Sequence, residues 1–239
     1  MTYSKEFAEI YVQFYEHARG RDYRAEVRDL LALLRQRKTD VTSLLDVACG
    51  PGNHLSVFSE LLDRVEGIDL SKDMLAVAEE AFPELVLHQD DMRDFRLASR
   101  FDAVICLFSS IGHVRDQDEL DATLRSFAHH LTPGGVVVVE PWWFADTFLD
   151  GYVATDAVRV GDRAIARVSH SRRVGDTSRV DVLYAVADPG NGIEHFVENF
   201  QMTLFDRAGY EKAFTRAGLS VEYLEGGFFG RGLFVGVAR

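Results

Sequence analysis

The chain has 239 residues, 47% of them hydrophobic and 27% charged, with a formal net charge of −12. That apolar content suffices for one domain with a full core and excludes a disordered chain, while the apolar runs are short and broken by charge, below the roughly 20 residues a membrane-spanning helix needs. The acidic total argues against a surface that tracks nucleic-acid phosphates, which draws on many Lys and Arg side chains, and favours a small-molecule substrate.

Met1 to Phe7 lacks the basic region and apolar stretch of a signal peptide, so a cytoplasmic location is expected. Two cysteines, Cys49 and Cys106, are too few for a disulfide framework or a zinc site and read as small apolar fillers. No His, Cys and carboxylate set has ligand spacing, so no metal is expected.

From about Glu6 to Arg37 the apolar spacing is helical, with Val27, Leu30, Leu31 and Leu34 on one face of a second helix, and residues 1–40 are expected to form a lid. Residues 41–143 alternate strand-like and helix-like stretches. This is the βαβ pattern of an α/β domain with a parallel, Rossmann-like sheet, whose ligands sit at the carboxyl edge. From about Ala157 to Leu204, β-rich runs are separated by the turns Val160-Gly161-Asp162-Arg163, Val174-Gly175-Asp176-Thr177 and Asp188-Pro189-Gly190-Asn191-Gly192. They predict a small antiparallel insert after strand five, over residues 144–205, that overhangs the ligand edge or serves as a dimer surface. Residues 206–239 are expected to add a helix from an Asp206 cap to about Ala217, closed by Gly218, and two runs, Leu219 to Leu224 and Gly232 to Val237, that complete the sheet as a hairpin.

The most informative stretch is Leu44-Leu45-Asp46-Val47-Ala48-Cys49-Gly50-Pro51-Gly52-Asn53, with Asp69 ending a second apolar run. An apolar strand runs into a glycine turn where backbone amides can approach a ligand, and the acid at the next strand's tip can accept from both hydroxyls of a ribose. The spacing resembles motif I of class I S-adenosylmethionine (SAM) methyltransferases. A dinucleotide fingerprint would need a third glycine at position 55, where Leu55 stands, so a methyl donor without phosphates fits better. His88-Gln89-Asp90-Asp91-Met92 follows a third run, and an acid there can bind the amine of an adenine. Leu131-Thr132-Pro133-Gly134-Gly135 resembles the turn before strand five of the same superfamily. Asp46, Ala48, Gly50, Gly52, Asp69, Leu70, Asp91 and Met92 are thus candidate cofactor residues, with Met74 and Leu107 as apolar walls. The strand-four exit, Leu107 to His113, lacks the Asn/Asp-Pro-Pro-Tyr string of enzymes that methylate nucleobase amines.

Much of the chain, from about Tyr11 to Val237, resembles a narrower family, the nucleotide-sugar N,N-dimethyltransferases of macrolide biosynthesis. The resemblance is carried by Phe14-Tyr15, Arg21-Asp22-Tyr23, Asp91-Met92-Arg93-Asp94-Phe95 and Phe108-Ser109-Ser110-Ile111-Gly112-His113. Further on it includes Glu140-Pro141-Trp142-Trp143-Phe144, Arg167-Val168-Ser169-His170-Ser171 and Gly230-Arg231-Gly232-Leu233-Phe234. A departure stands at Phe228-Phe229, where the family carries smaller, less apolar residues, which leaves the exact sugar open.

The resemblance implies SAM as cofactor, S-adenosyl-L-homocysteine as product, a dTDP-3-amino-3,6-dideoxyhexose as substrate, no nucleic-acid or membrane partner, and a homodimer. It implies that His113 and Tyr15 orient the amine and pass its proton, and that Tyr23 contacts the methionine end of SAM. His113, on a loop at the carboxyl edge, is expected to titrate near neutrality. Trp142, Trp143, Ser169, Ser171 and Arg231 are the expected substrate residues, Arg231 suiting a diphosphate through paired hydrogen bonds. His17, His54, His129, His130 and His195 are assigned to the surface. Methylation of another small amine or hydroxyl, and a SAM-binding protein without turnover, stay open as alternatives.

Overall fold

In a computed structural model, residues 3–227 and 230–239 are described; Phe228 and Phe229, the one departure from the family pattern, lie outside them. Helix α1 spans Lys5–Arg19, started by Ser4, whose hydroxyl accepts from Phe7 N–H, and stopped by Gly20 in the left-handed region (φ 62°). Helix α2, Tyr23–Arg35, starts at the Asp22 cap and buries Val27, Leu30, Leu31 and Leu34, the face its spacing predicts.

The central unit then follows: β1 Ser43–Val47, α3 Asn53–Ser59, β2 Arg64–Asp69, α4 Lys72–Ala81, β3 Val86–Gln89 and β4 Phe101–Cys106. A short 3-10 turn, Ser110–His113, leads to α5, Gln117–His129, and β5, Leu131–Val139. Strands β1 and β4 are buried along their whole length, as parallel strands covered on both faces are. After an antiparallel excursion of β6 Tyr152–Val160, β7 Arg163–Val174, β8 Thr177–Asp188 and β9 Gly192–Thr203, the chain returns through α6 Arg207–Arg216, β10 Glu222–Leu224 and β11 Leu233–Val237.

Two sheets result. The larger has the order β10-β11-β5-β4-β1-β2-β3, with β11 antiparallel to both neighbours and β1 to β5 parallel. The smaller is the meander β6-β7-β8-β9, whose first two hairpins turn at Gly161-Asp162 and Gly175-Asp176, each glycine at positive φ (59° and 61°) as such tight turns require. Two boundaries differ from expectation. β6 starts at Tyr152 rather than near Ala157, because Tyr152 to Asp156 pair with Ser171 to Arg167. The Leu219 to Leu224 run forms a strand only at Glu222–Leu224, with Leu219 joined to Ala238 by a single bridge.

The first two helices pack on different surfaces. Phe7, Ile10 and Phe14 of α1 join Met74 of α4 and Ile165, Val180, Val182 and Tyr184 of the small sheet, whereas α2 packs with Leu44, Leu55 and Phe58 on the large one. Helix α1 therefore wedges between the small sheet and the carboxyl edge of the large one.

Candidate active site

Two cavities open along that edge. The first, about 450 Å³, is lined by the glycine turn after β1, the tips of β2 and β3, the exit of β4 and residues of the amino-terminal segment. The turn is held from below: Cys49 N–H donates to Ile68 O (3.0 Å) and Gly52 N–H to Cys49 O (3.1 Å). Asp69 ties it to β2, its Oδ2 accepting from Gly50 N–H and its Oδ1 from Ser71 N–H, both at 2.8 Å. Each oxygen keeps a lone pair for a ribose hydroxyl. Burial pushes the Asp69 carboxyl up in pKa against those hydrogen bonds, and pushes Asp46 up well beyond its ordinary range, with the Asp69 charge adding to it.

Asp46, Asp69, Asp90 and Asp91 all line this cavity. Its arginines are matched: Arg21 pairs with Glu26, Arg93 with Asp91 (2.5 Å) and Glu119 (2.8 Å), and Arg115 with Glu119. This set of carboxylate acceptors suits a cation-bearing adenosine derivative with hydroxyls and an amine, not a pyrophosphate, and fits SAM. Leu70, Met74, Met92 and Leu107 supply apolar wall. Tyr23 lines it too, its ring edge-on to His54 (5.0 Å) and its hydroxyl pushed up to about 12 by burial.

The second cavity, about 540 Å³, lies under the inner face of the small sheet. Alternate residues of β7 face the same way, which brings Arg167, Ser169 and Ser171 to it together. Tyr15, Trp142, Trp143 and Arg231 line the other side. Trp142 is anchored by its indole N–H to Ser178 Oγ (2.9 Å), and the Arg231 guanidinium carbon sits 5.7 Å from the centre of each tryptophan ring. Arg231 is no solvated cation: its side chain is 14% exposed and pairs with Glu140 at 3.0 Å.

Among the described residues, only Arg21 and Phe108 line both cavities. The guanidinium carbon of Arg21 lies 4.2 Å from the Phe108 ring centre, and Tyr15 meets the same ring edge-on at 4.9 Å. Phe108 and Ser109 hold left-handed backbone (φ 58° and 63°), a strained choice for residues with a Cβ and one that clusters at functional sites.

The structure thus brings together most of the residues singled out in the sequence, but divides the amine-orienting pair: His113 lines the first cavity, Tyr15 the second. His113 does not titrate near neutrality. Burial of its ring pulls the pKa down to about 4, leaving a neutral imidazole whose Nε2 is 3.4 Å from the Tyr3 hydroxyl. Gly52 does not line the cavity either; at φ 80° it caps α3, and a Cβ there would meet Leu85 and Ala78 at 3.2 and 3.3 Å. Asp91 has both carboxylate oxygens engaged by Arg93.

Two histidines assigned to the surface lie inside. His130 is buried, accepting from Leu97 N–H at Nε2 (3.0 Å) and donating from Nδ1 to Ser126 O (2.7 Å). His54 pairs with Glu26 (2.8 Å) against the first cavity. Tyr3, Tyr11, Arg21, Phe108, Arg167 and Glu140 are site residues that residue-by-residue reading did not single out. Arg21, Phe108, Arg167 and Glu140 stand inside the family-like strings, the one signal that marked them.

A family model described as a methyltransferase domain matches residues 44–135. With the strand order and the acid-tipped glycine turn, it defines the molecule as a class I SAM-dependent methyltransferase. The dTDP-3-amino-3,4,6-trideoxy-alpha-D-glucopyranose N,N-dimethyltransferase of Streptomyces venezuelae is 54% identical over 98% of this chain and 99% of its own length. The dTDP-3-amino-3,6-dideoxy-alpha-D-glucopyranose N,N-dimethyltransferase of Streptomyces fradiae is 53% identical over 98% of this chain and 92% of its own. The crystal structure of Streptomyces venezuelae DesVI superposes with a TM-score of 0.95 at 53% identity, covering 99% of this chain and 100% of that one. The chain belongs to the family of SAM-dependent dTDP-aminosugar N,N-dimethyltransferases.

Proposed function

We propose that this enzyme converts the 3-amino group of a dTDP-3-amino-3,6-dideoxyhexose to a dimethylamino group in two rounds, in antibiotic deoxysugar biosynthesis. The observation that supports this most is the pair of cavities meeting at Arg21 and Phe108, an acid-rich one beside one lined by two tryptophans, two serines and Arg231. The two relatives, by their names, both act on 3-amino sugars.

When bound, SAM supplies an electrophilic methyl carbon. In this reading Asp69, with Gly50 behind it, takes the ribose, Asp91 the adenine side, and Tyr23 the methionine end, while Asp46, Ala48, Leu70, Met74, Met92 and Leu107 shape the cavity. Trp142, Trp143, Ser169, Ser171 and Arg231 hold the nucleotide-sugar so that its amine reaches the junction. Tyr15 and the neutral His113 then orient the nitrogen lone pair by accepting its N–H hydrogens. The sugar ammonium sheds its proton to water before or during binding, so a strong base is not demanded. Positioning of this kind can supply roughly 7–11 kcal/mol of a barrier, whereas a general base typically adds about 10²- to 10⁴-fold in rate.

The enzyme is further proposed to act in the cytoplasm as a homodimer; the outer face of the small sheet, where Val168, Leu183 and Val197 stand exposed in one register row, supports that assembly. Sedimentation analysis tests it, a single monomer-sized species overturning the dimer. Incubating the protein with SAM and the dTDP-3-amino-3,6-dideoxyhexose, and following mass, should give products heavier by one and then two CH₂ units. No product, with SAM still binding by calorimetry, would sink the acceptor assignment; the same assay with the 3,4,6-trideoxy sugar compares the two relatives' substrates.

A further inference from the structure

Glu140 directly follows β5 and is 1% exposed. Its two oxygens are divided between two parts of the chain. Oε2 accepts from Phe108 N–H at 2.8 Å, and Oε1 accepts from Arg231 Nη2 at 3.0 Å.

On the first side, Phe108 and Ser109 hold left-handed backbone, which residues with side chains keep only when their surroundings impose it. Glu140 imposes it at Phe108, and the carbonyl of Pro141, the next residue, accepts from Ser109 Oγ at 2.7 Å. The segment so fixed runs on into Ser110–His113. On the second side, Arg231 stands between Gly230 and Gly232, both at positive φ (75° and 76°), just before the strand pairing that begins at Leu233. A buried carboxylate is costly to leave without its charged partner, so Glu140 fixes where the guanidinium stands beside Trp142 and Trp143.

We propose that Glu140 is a positioning residue for the acceptor: one carboxylate sets both the course of the exit loop toward His113 and the place of Arg231, and so registers the sugar nucleotide against the methyl donor. This rests on the reading of Arg231 as an acceptor-binding residue. No contact of Glu140 with either substrate is involved, since it is buried behind Phe108 and Arg231 and lines neither cavity.

The test compares E140Q, R231M and the double variant for kcat and KM toward the sugar nucleotide, with SAM affinity by calorimetry. The amide of E140Q keeps the shape but must point N–H groups at one of two donors. Expected are a rise of about tenfold or more in KM for the sugar nucleotide, of the size that losing a charged hydrogen bond produces, a lowered kcat, and an unchanged SAM affinity. In the double variant KM should be no worse than in R231M alone, because Glu140 acts on the acceptor through Arg231. If E140Q lowers thermal stability and active fraction but leaves KM unchanged while R231M raises it, Glu140 is merely structural and this proposal alone fails. If R231M leaves KM unchanged, the acceptor reading of Arg231 fails and this proposal with it. Should E140Q not fold, E140D, which keeps the charge but draws it back by one methylene, takes its place with the same expected split.

Discussion

The hydroxyl of Tyr3 lies 3.4 Å from Nε2 of His113, the two rings standing edge-on at 81°. Burial raises the Tyr3 pKa and lowers that of His113 to about 4, so both groups are neutral at physiological pH. The acid limb of the pH–rate profile should therefore belong to the sugar ammonium and stay in place when His113 is replaced by Asn, while kcat falls by no more than about 10²-fold. An NMR titration of the His113 ring should show a midpoint near 4; a midpoint at the ordinary value of about 6.5 would contradict this account of the site. The sign for stability follows. The unfolded chain protonates this histidine below about 6.5 and the folded chain only near 4, so its contribution is a loss of stability as pH falls through that window, regained as pH rises.

Replacing Asp69 by Asn should weaken SAM binding about 10- to 10²-fold, since a carboxylate that serves two N–H donors at once becomes an amide able to serve one, and hydrogen bonds to charged groups contribute roughly 1.5–3 kcal/mol. Isothermal calorimetry measures it. Retention of wild-type affinity would mean that the ribose is held elsewhere.

The chain has two tryptophans, and both line the second cavity. If that cavity takes the acceptor as proposed, intrinsic fluorescence reports its binding: dTDP alone should quench or shift the emission in a saturable way, while SAM should change it little. The opposite pattern would place the nucleotide-sugar outside this cavity.

A methyl group added at Gly67 would lie 2.8 Å from Cys49 Sγ, 2.8 Å from Leu55 Cδ2 and 2.9 Å from Leu87 Cδ2. Gly67→Ala should cost about 1–3 kcal/mol through overpacking, visible as a lowered Tm in differential scanning calorimetry. Adding Cys49→Ala should recover part of that loss by removing one of the three clashes, whereas an additive further loss would show that the turn, not the crowding, is at fault.

What was legible in the sequence was what local chain chemistry writes into neighbouring residues. The run from Asp46 through Gly50 to Asp69, the buried face of α2 and the turns at Gly161-Asp162 and Gly175-Asp176 depend on spacing and backbone preference within a few residues. The junction was not legible from pattern, because it is made by distant partners: Arg21 against Phe108, Glu140 against Arg231 across 91 positions. Histidines show the same divide. His195 is exposed as its strand alternation implies, but His130, in the polar-looking pair His129-His130, turns inward because Leu97 N–H and Ser126 O stand ready for its two ring nitrogens. Ser126 stands one helical turn upstream, but Leu97, 33 positions away, is not visible in the residues around it.

In the reading proposed here, donor and acceptor cavities are built largely on different sheets, the second cavity drawing on every second residue of β7 from Arg167 to Ser171. Preference for one sugar over another can therefore drift by exchanges at positions such as 167, 169 and 171 with the methyl-donor apparatus left intact, much as a toolholder accepts new bits. A slip of β7 by one position against both its neighbours would be far more drastic, since it would present Val168 and His170 on that face instead. Lineages of such enzymes should accordingly diversify by substitution along this strand and conserve the lengths of its turns.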